Sequence, residues 1–241
     1  CADKFDMRAH AAQCGYADFL SRCYGVFDSP DALDFGRLPD SFVLKDTLGS
    51  GGNAVVLVPD KSAVDEGKIR AQMQKWVAGS EKVRHPGREW VYDGRKHRIL
   101  AEELLLSDAN GDLPDYKFFC FDGEPYCLYM MCNYTQHHSK GVLGFLTSDF
   151  QLLPAHRMDF APMKEQPDKP QNYDRMVEIA RALSKGFPHV RVDLYNIDGR
   201  IVIGEMTFFN ASGYSQFVPD EFDFELGEQF HLPGRNLPSP A

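Results

Sequence analysis

Residues 190–207 of the chain read VRVDLYNIDGRIVIGEMT. Apolar and β-branched residues stand on both sides of Asp198-Gly199, a dipeptide that favours a tight turn, so the stretch predicts two antiparallel strands. These otherwise apolar strands also carry Asp193 and Glu205. A carboxylate is costly to bury unless a cation compensates it, and the hairpin is therefore a candidate functional site.

The register of this hairpin decides whether the two acids share a face. A two-residue turn pairs Asp193 with Gly204 and places Glu205 on the opposite face. A three-residue loop pairs Arg191 with Glu205 and brings both acids, Arg191 and Thr207 to one face. Two interpretations stay open: the acids bind Mg²⁺ with its phosphates, or Glu205 forms an ion pair with Arg191 while Asp193 lies near the rim.

A glycine-rich loop stands earlier in the chain, between predicted strands at 42–45 and 54–58. Its backbone amides can approach phosphate oxygens closely, and Lys45 can add a positive charge. The lysine precedes the loop, so this is not a Walker A motif, and a flexible hairpin tip with a solvated lysine is the alternative. The loop residues are Gly49, Ser50, Gly51, Gly52 and Asn53.

The order of the predicted elements indicates the fold class. It does not alternate strictly between strand and helix, and this favours an α+β fold with two lobes over a doubly wound sheet. Helices are predicted at 3–24, 62–78 and 173–185, strands at 99–106, 116–121, 125–132, 190–195 and 201–208, and a loop-rich segment at 133–172. The expected domains are an N-terminal part at 1–100, which includes a small lobe at about 40–100, a C-terminal lobe at 101–228 and a tail at 229–241.

Composition excludes several classes of protein. The chain has 241 residues, of which 43% are hydrophobic and 25% charged, as in a folded globular protein. Its net charge of −9 argues against binding to nucleic acid. No apolar stretch approaches the ~18 residues of a membrane span, and without a signal peptide or lipidation motif the expected location is cytoplasmic. The six cysteines contain no CxxC pair and are interpreted as structural thiols.

Seven motifs, spread over residues 2–228, resemble one known family. They are ADKFDMR, LPDSFVLKDTLGSGGN, REWVYD, RILAEELL, DYKFFCFDGEP, FPHVRVDLYNIDGRIVIGEMTF and PDEFDFELG. Together they resemble the ATP-grasp enzymes, and within them the teichuronopeptide-biosynthesis (TupA-like) branch. The resemblance implies an ATP-grasp fold, in which the nucleotide lies in the cleft between two α+β lobes.

The resemblance also implies a set of ATP-binding residues. Lys4 would bind phosphates of ATP, and Lys45 would bind its α- and β-phosphates. Residues 101–104 would form the hinge, whose backbone groups would contact the edge of the adenine ring. Two polar residues of the strand after the hinge would lie near ribose or phosphate. The full set is Lys4, Lys45, Gly49, Ser50, Gly51, Gly52, Asn53, Glu102, Glu103, Leu104, Asp115 and Lys117.

The resemblance places the catalytic and metal-binding residues on the hairpin. Arg191 would steady the transferred phosphoryl group, together with Lys45, and Asp193 and Glu205 would bind Mg²⁺. Most ATP-grasp enzymes have Glu-x-Asn as the metal motif, whereas this chain has Glu-Met-Thr at 205–207. Thr207 or Asn210 would then supply the third oxygen ligand.

The implied activity is a carboxylate–amine ligase that forms an acylphosphate from ATP. In the TupA-like branch the expected substrates are a uronic acid of a cell-surface polysaccharide, or its nucleotide-sugar precursor, and an amino acid as the amine. The alternatives are a phosphotransferase of the same fold and a nucleotide-binding module without turnover. Two basic segments, 82–88 and 95–98, could receive an anionic substrate or be solvated surface. Many ATP-grasp ligases carry a further N-terminal lobe, so part of substrate recognition is expected in 133–172 or outside this sequence.

Overall fold

The structure, a computed structural model, describes residues 1–49, 54–78, 89–107, 112–133 and 141–232. Four residues of the predicted loop, Ser50, Gly51, Gly52 and Asn53, lie outside these ranges. The strands are β1 Cys23–Phe27, β2 Phe42–Asp46, β3 Val55–Val58, β4 Ile99–Glu102, β5 Asp115–Phe121, β6 Glu124–Cys132, β7 Val142–Thr147, β8 His156–Arg157, β9 Ala161–Pro162, β10 His189–Ile197, β11 Arg200–Thr207 and β12 Phe217–Val218. The α-helices are α1 Asp6–Gln13, α2 Glu66–Ala78, α3 Tyr173–Ser184 and α4 Glu221–Glu228.

The small lobe is an antiparallel sheet with one helix packed on it. Its strand order is β1-β4-β2-β3. Helix α2 presents Ile69, Met73 and Trp76, which are three or four residues apart and therefore lie on one face. That face packs into one core cluster with Phe42 and Leu44 of β2.

The large lobe is built on a sheet with strand order β11-β10-β5-β6-β7-β9. Helix α3 covers one face of it, where its buried residues Met176, Ile179 and Leu183 join Phe118 and Val192 in one core cluster. Helix α4 and the two-stranded sheet of β8 and β12 pack on the other face. Because side chains alternate along a strand, the neighbours of Phe118 and Val192 point toward this second face.

The predicted helix at 3–24 is wrong beyond residue 13. Helix α1 ends at Gln13, and Gly15 follows with φ +87°, a left-handed conformation that stops a helix. Leu20 then bridges to Ile203 of β11, and β1 begins at Cys23. Contacts with both sheets therefore override the helical spacing of the sequence. Residues 99–106 likewise form a shorter strand than predicted, which ends at Glu102.

The segment predicted to be loop-rich, 133–172, contains a buried strand. Strand β7 pairs with β6 on one side and with the short strand β9 on the other. Its residues Leu143, Phe145 and Leu146 are fully buried. A strand covered on both faces reads as a continuous apolar run without alternation, which explains why the pattern does not reveal it.

Two expectations from composition can be compared with the described residues. None of the helices there is both long and apolar enough to cross a membrane. The six cysteines are free thiols.

Candidate active site

A two-residue turn and a bulge together set the register of the β10–β11 hairpin. Asp198 and Gly199 form the turn, with φ +50° and +93°. An extra residue, Gly204, then shifts the pairing so that Asp193 lies opposite Glu205. Neither predicted register is the observed one: the turn has two residues, but the acids share a face, as predicted only for the three-residue loop. The bulge favours glycine because a Cβ there would lie 3.3 Å from the backbone oxygen of Asp193.

Arg191 is bound to Asp193. Its Nε donates to Oδ1 at 2.7 Å, and its Nη2 donates to Oδ2 at 2.8 Å and to Thr207 Oγ1 at 2.9 Å. The alternative ion pair between Arg191 and Glu205 therefore does not form, and Asp193 is 2% exposed rather than near the rim. Burial opposes ionisation of Asp193, but the charges of Arg191 and Lys117 outweigh it and lower the pKa of that carboxyl.

Lys117 joins the same network from β5. Its Nζ lies 2.5 Å from Asp193 Oδ2 and 2.6 Å from Asp115 Oδ2. Burial disfavours the charged lysine, but the two aspartates outweigh it and raise the pKa of Lys117 well above its usual value. Asp115 Oδ1 is buried without a hydrogen-bond donor among the described residues, and burial raises the pKa of Asp115.

Lys4 connects this network to the glycine loop. Its Nζ donates to the backbone oxygen of Gly49 at 2.5 Å and lies 3.3 Å from Glu205 Oε1. The backbone N–H of Lys4 donates to Thr47 O at 2.8 Å, which fixes the start of the chain beside β2. The structure therefore brings a lysine from residue 4, the first glycine of the loop and a hairpin acid to one place between the lobes.

Lys45 and the hinge form a second cluster. Lys45 Nζ lies 2.5 Å from Glu102 Oε1, and Ser21 Oγ donates to Glu102 Oε2 at 2.8 Å. Arg8 completes the set at 3.5 Å from Glu102 Oε2. Burial alone would raise the pKa of Glu102, but Lys45, Ser21 and Arg8 outweigh it and lower that pKa.

The next two hinge residues lie differently. Glu103 accepts two hydrogen bonds from Arg200 of β11, at 2.6 and 2.8 Å, and its backbone N–H donates to Arg22 O. Leu104 is half-buried. The hinge acids therefore point to different lobes: Glu102 contacts the small-lobe lysine, and Glu103 contacts the large-lobe hairpin.

We expect acid to weaken the Glu102 cluster. Because the pKa of Glu102 is lowered by folding, its stabilising contribution is present above pH ~4.3, the unfolded value, and is lost as the pH falls through the lowered pKa. The difference in unfolding free energy between the wild type and Glu102→Gln should therefore shrink as the pH falls below ~4.3. Denaturant titrations at several pH values measure it, with Glu124→Gln, in an exposed pair with Arg181, as the control. A difference that does not change with pH would contradict the expectation.

The hairpin cluster is balanced in charge, with acids and bases in equal number. Three carboxylates (Asp115, Asp193 and Glu205) meet three cations (Lys4, Lys117 and Arg191). The described residues contain no group of three or more His, Cys, Asp or Glu side chains that could hold a metal.

The predicted Mg²⁺ site uses two carboxylates and one hydroxyl instead. Asp193 and Glu205 face each other on neighbouring strands, and Thr207 follows on the same face. These are the oxygen donors that Mg²⁺ prefers, so they fit the ion. Asn210 donates through Nδ2 to His189 Nε2 at 2.8 Å, and its buried Oδ1 has no donor among the described residues.

The second basic segment, 95–98, is already paired with acids. Each of its four side chains contacts a carboxylate, and these acids offset part of the positive charge of the segment. The pairs are Arg95–Asp6 at 3.9 Å, Lys96–Asp28 at 2.9 Å, His97–Asp46 at 2.7 Å and Arg98–Asp6 at 2.7 Å. The first segment, 82–88, lies outside the described residues.

A cavity of about 590 Å³ adjoins the hairpin, and the sequence did not predict it. Arg191 lines it, as do Arg157, His189 and Trp90. Phe208 and Phe209, which follow β11, also line it. Arg157 stands in the segment predicted to be loop-rich, so no pattern of the sequence singles it out.

Comparisons with known proteins agree with this architecture. The family model "TupA-like ATPgrasp" matches residues 15–231, well over half of the chain. A search of curated proteins finds no significant match.

Several solved structures have a similar fold. A D-alanine–D-alanine ligase from Bacillus anthracis superposes with a TM-score of 0.53 at 14% identity, over 95% of this chain and 64% of that one. The corresponding enzyme from Helicobacter pylori gives 0.51 at 13% identity, over 96% and 61%. The N5-carboxyaminoimidazole synthetase from Staphylococcus aureus, solved with ADP, gives 0.51 at 10% identity, over 97% and 53%.

At these identities the likeness shows the fold, which is the α+β ATP-grasp fold. The chain spans between about half and two thirds of the length of these three proteins.

Proposed function

Since the chain belongs to the TupA-like ATP-grasp family, we propose that it is an ATP- and Mg²⁺-dependent carboxylate–amine ligase. The carboxylate substrate would be a uronic acid of a cell-surface polysaccharide or its precursor, and the amine would be an amino acid. The ATP-grasp relatives named above include ligases and a synthetase solved with ADP.

The hairpin cluster supports this function. Its three cations and three carboxylates neutralise one another, Asp193 is buried, and the Lys117 side chain is only 13% exposed. When a nucleotide binds, Lys4, Lys117 and Arg191 would exchange their carboxylate partners for phosphate groups, and Asp193 and Glu205 would then be available to hold the metal. No uncompensated charge then has to be buried, which would be costly.

In the proposed reaction the protein takes little part in bond making and breaking, and mainly positions the substrates and offsets charge. The substrate carboxylate attacks the γ-phosphorus, the bond to ADP breaks, and an acylphosphate forms; the amine then displaces phosphate, loses a proton and leaves an amide. Lys4, Lys45, Lys117 and Arg191 would bind the phosphates and offset the charge of the transferred group. Asp193 and Glu205, with Thr207 or Asn210, would hold Mg²⁺. The bound ion would neutralise charge on the phosphate oxygens.

Phosphorus NMR tests the proposal. The protein is mixed with Mg²⁺-ATP, a panel of uronic acids and a mixture of amino acids, and each substrate class is then omitted in turn. ADP and phosphate that appear only when both classes are present would support the ligase. A new phosphoester signal with one class alone would favour the phosphotransferase, and ATP binding without turnover in any mixture would favour a binding module.

A further inference from the structure

The cavity beside Arg191 has aromatic walls. It lies on the side of the large sheet opposite α3, where Tyr129 and Arg191 point. The exposed ring of Trp90 packs edge-on against Phe209 at its rim, with centroids 5.8 Å apart. The aromatic lining residues are Trp90, Phe119, Phe121, Tyr129, Phe208, Phe209, Phe217 and Phe230.

Two arginines share one of these rings. The guanidinium carbon of Arg191 lies 5.9 Å from the ring centre of Tyr129, and that of Arg157 lies 6.0 Å from the same point. Asp223 is the one carboxylate among the described lining residues, and Asp193 and Asp159, which bind the two arginines, are not among them. An aromatic cavity with a few convergent charged groups is typical of a small-molecule site.

The two arginines are held in different ways. Arg191 donates hydrogen bonds to Asp193 and Thr207 in the hairpin cluster. Arg157 donates through Nε and Nη2 to Asp159 alone, at 3.0 and 2.6 Å. The Arg157 side chain is 16% exposed and that of Asp159 is 59% exposed, so the carboxylate orients the guanidinium from the solvent side. The Nη1 group of Arg157 has no hydrogen-bond acceptor among the described residues.

We infer that this cavity binds the carboxylate-bearing substrate, and that Arg157 binds a carboxylate other than the one that is phosphorylated. The inference rests on the proposed ligase function. The reacting carboxylate must lie at the end of the cavity that Arg191 lines, beside the acids of the hairpin. Arg157, which belongs to β8, lines another part of the cavity. A planar guanidinium held by one carboxylate can bind a second one through its remaining N–H groups. That carboxylate belongs either to the amino acid or to a second acidic group of the sugar substrate.

The fluorescence of Trp90 provides a readout that needs neither ATP nor turnover. The chain has two tryptophans, and the other, Trp76, is buried in the small lobe. The protein is titrated with D-galactarate, a sugar acid with two carboxylates, and with L-alanine. Their counterparts without a carboxylate are galactitol and L-alaninamide. We expect a saturable signal from a carboxylate probe that its counterpart does not produce, and that Trp90→Phe removes.

Variants of Arg157 then assign the contact. Arg157→Met should weaken binding of the carboxylate probe about 10- to 100-fold, and Arg157→Lys should recover part of the loss, because a lysine keeps the charge but not the fork of donors. Arg181→Met, in an exposed pair with Glu124 on the far side of the sheet, is the control and should bind like the wild type. Saturation by L-alanine assigns the carboxylate to the amine substrate, and saturation by D-galactarate assigns it to a second acidic group of the sugar.

The outcomes separate this inference from the proposed function. Binding of a carboxylate probe without any turnover of ATP would keep the carboxylate site at Arg157 and remove the ligase. Turnover of ATP with no carboxylate probe bound, or with equal binding by Arg157→Met and the wild type, would overturn the inference and leave the ligase.

Discussion

Glu205→Gln is expected to lower the Mg²⁺-dependent turnover of ATP about 10²- to 10³-fold while the protein stays folded. The amide keeps the shape of the side chain but loses the charge that would hold the metal. Among the residues that the structure describes, Glu205 has a single ion pair, 3.3 Å from Lys4, and it is only partly buried. Such a pair contributes at most about 1 kcal/mol, so the melting temperature should change by no more than ~4 °C.

Glu205 is a better target than Asp193 because the two acids differ in what they support. Asp193 holds both Arg191 and Lys117, and its removal would leave two buried cations without their partner. A loss of activity in that variant could reflect unfolding. Glu205→Gln removes the proposed metal ligand with little effect on the ion pairs of Asp193.

Turnover is measured by phosphorus NMR over a range of Mg²⁺ concentrations, with thermal melting of the same samples. Glu124→Gln changes a carboxylate on β6 of the same sheet and serves as the control. Wild-type turnover of Glu205→Gln at saturating Mg²⁺ would show that Glu205 is not a metal ligand.

The elements that the sequence predicts well are those with regular spacing. The helices at 66–78 and 173–184 have an apolar residue every three or four positions, and both bury that face. The strands at 115–121 and 124–132 surround Asp122-Gly123, whose positive φ angles form the turn that this dipeptide favours. In these segments local preference and tertiary packing agree.

Features that depend on distant contacts could not be predicted in the same way. The bulge at Gly204 restores the shared face of the two acids, although local turn chemistry alone would separate them. The cavity combines Tyr129, Arg157 and Arg191, which come from three strands far apart in the sequence. Only the packing of β8 and β12 against the large sheet brings Arg157 there.

Lys45→Met is expected to weaken ATP binding about 10- to 100-fold, the contribution of one charge-assisted contact to phosphate. It should also destabilise the protein, because Glu102 would remain buried without its 2.5 Å partner. Ser21 and Arg8 still contact that carboxylate, so we expect a loss of roughly 1–3 kcal/mol rather than complete unfolding. Calorimetric titration with ATP and denaturant unfolding measure the two effects.

The double variant Lys45→Met/Glu102→Gln separates these effects. The neutral amide no longer leaves a charge buried, so the double variant should regain part of the stability, whereas its affinity for ATP should stay low. Lys61→Met is the control, because Lys61 lies in the same lobe and donates to the backbone oxygen of Leu38. An unchanged ATP affinity in Lys45→Met would mean that Lys45 serves only to neutralise Glu102. An affinity that recovers together with stability in the double variant would lead to the same conclusion.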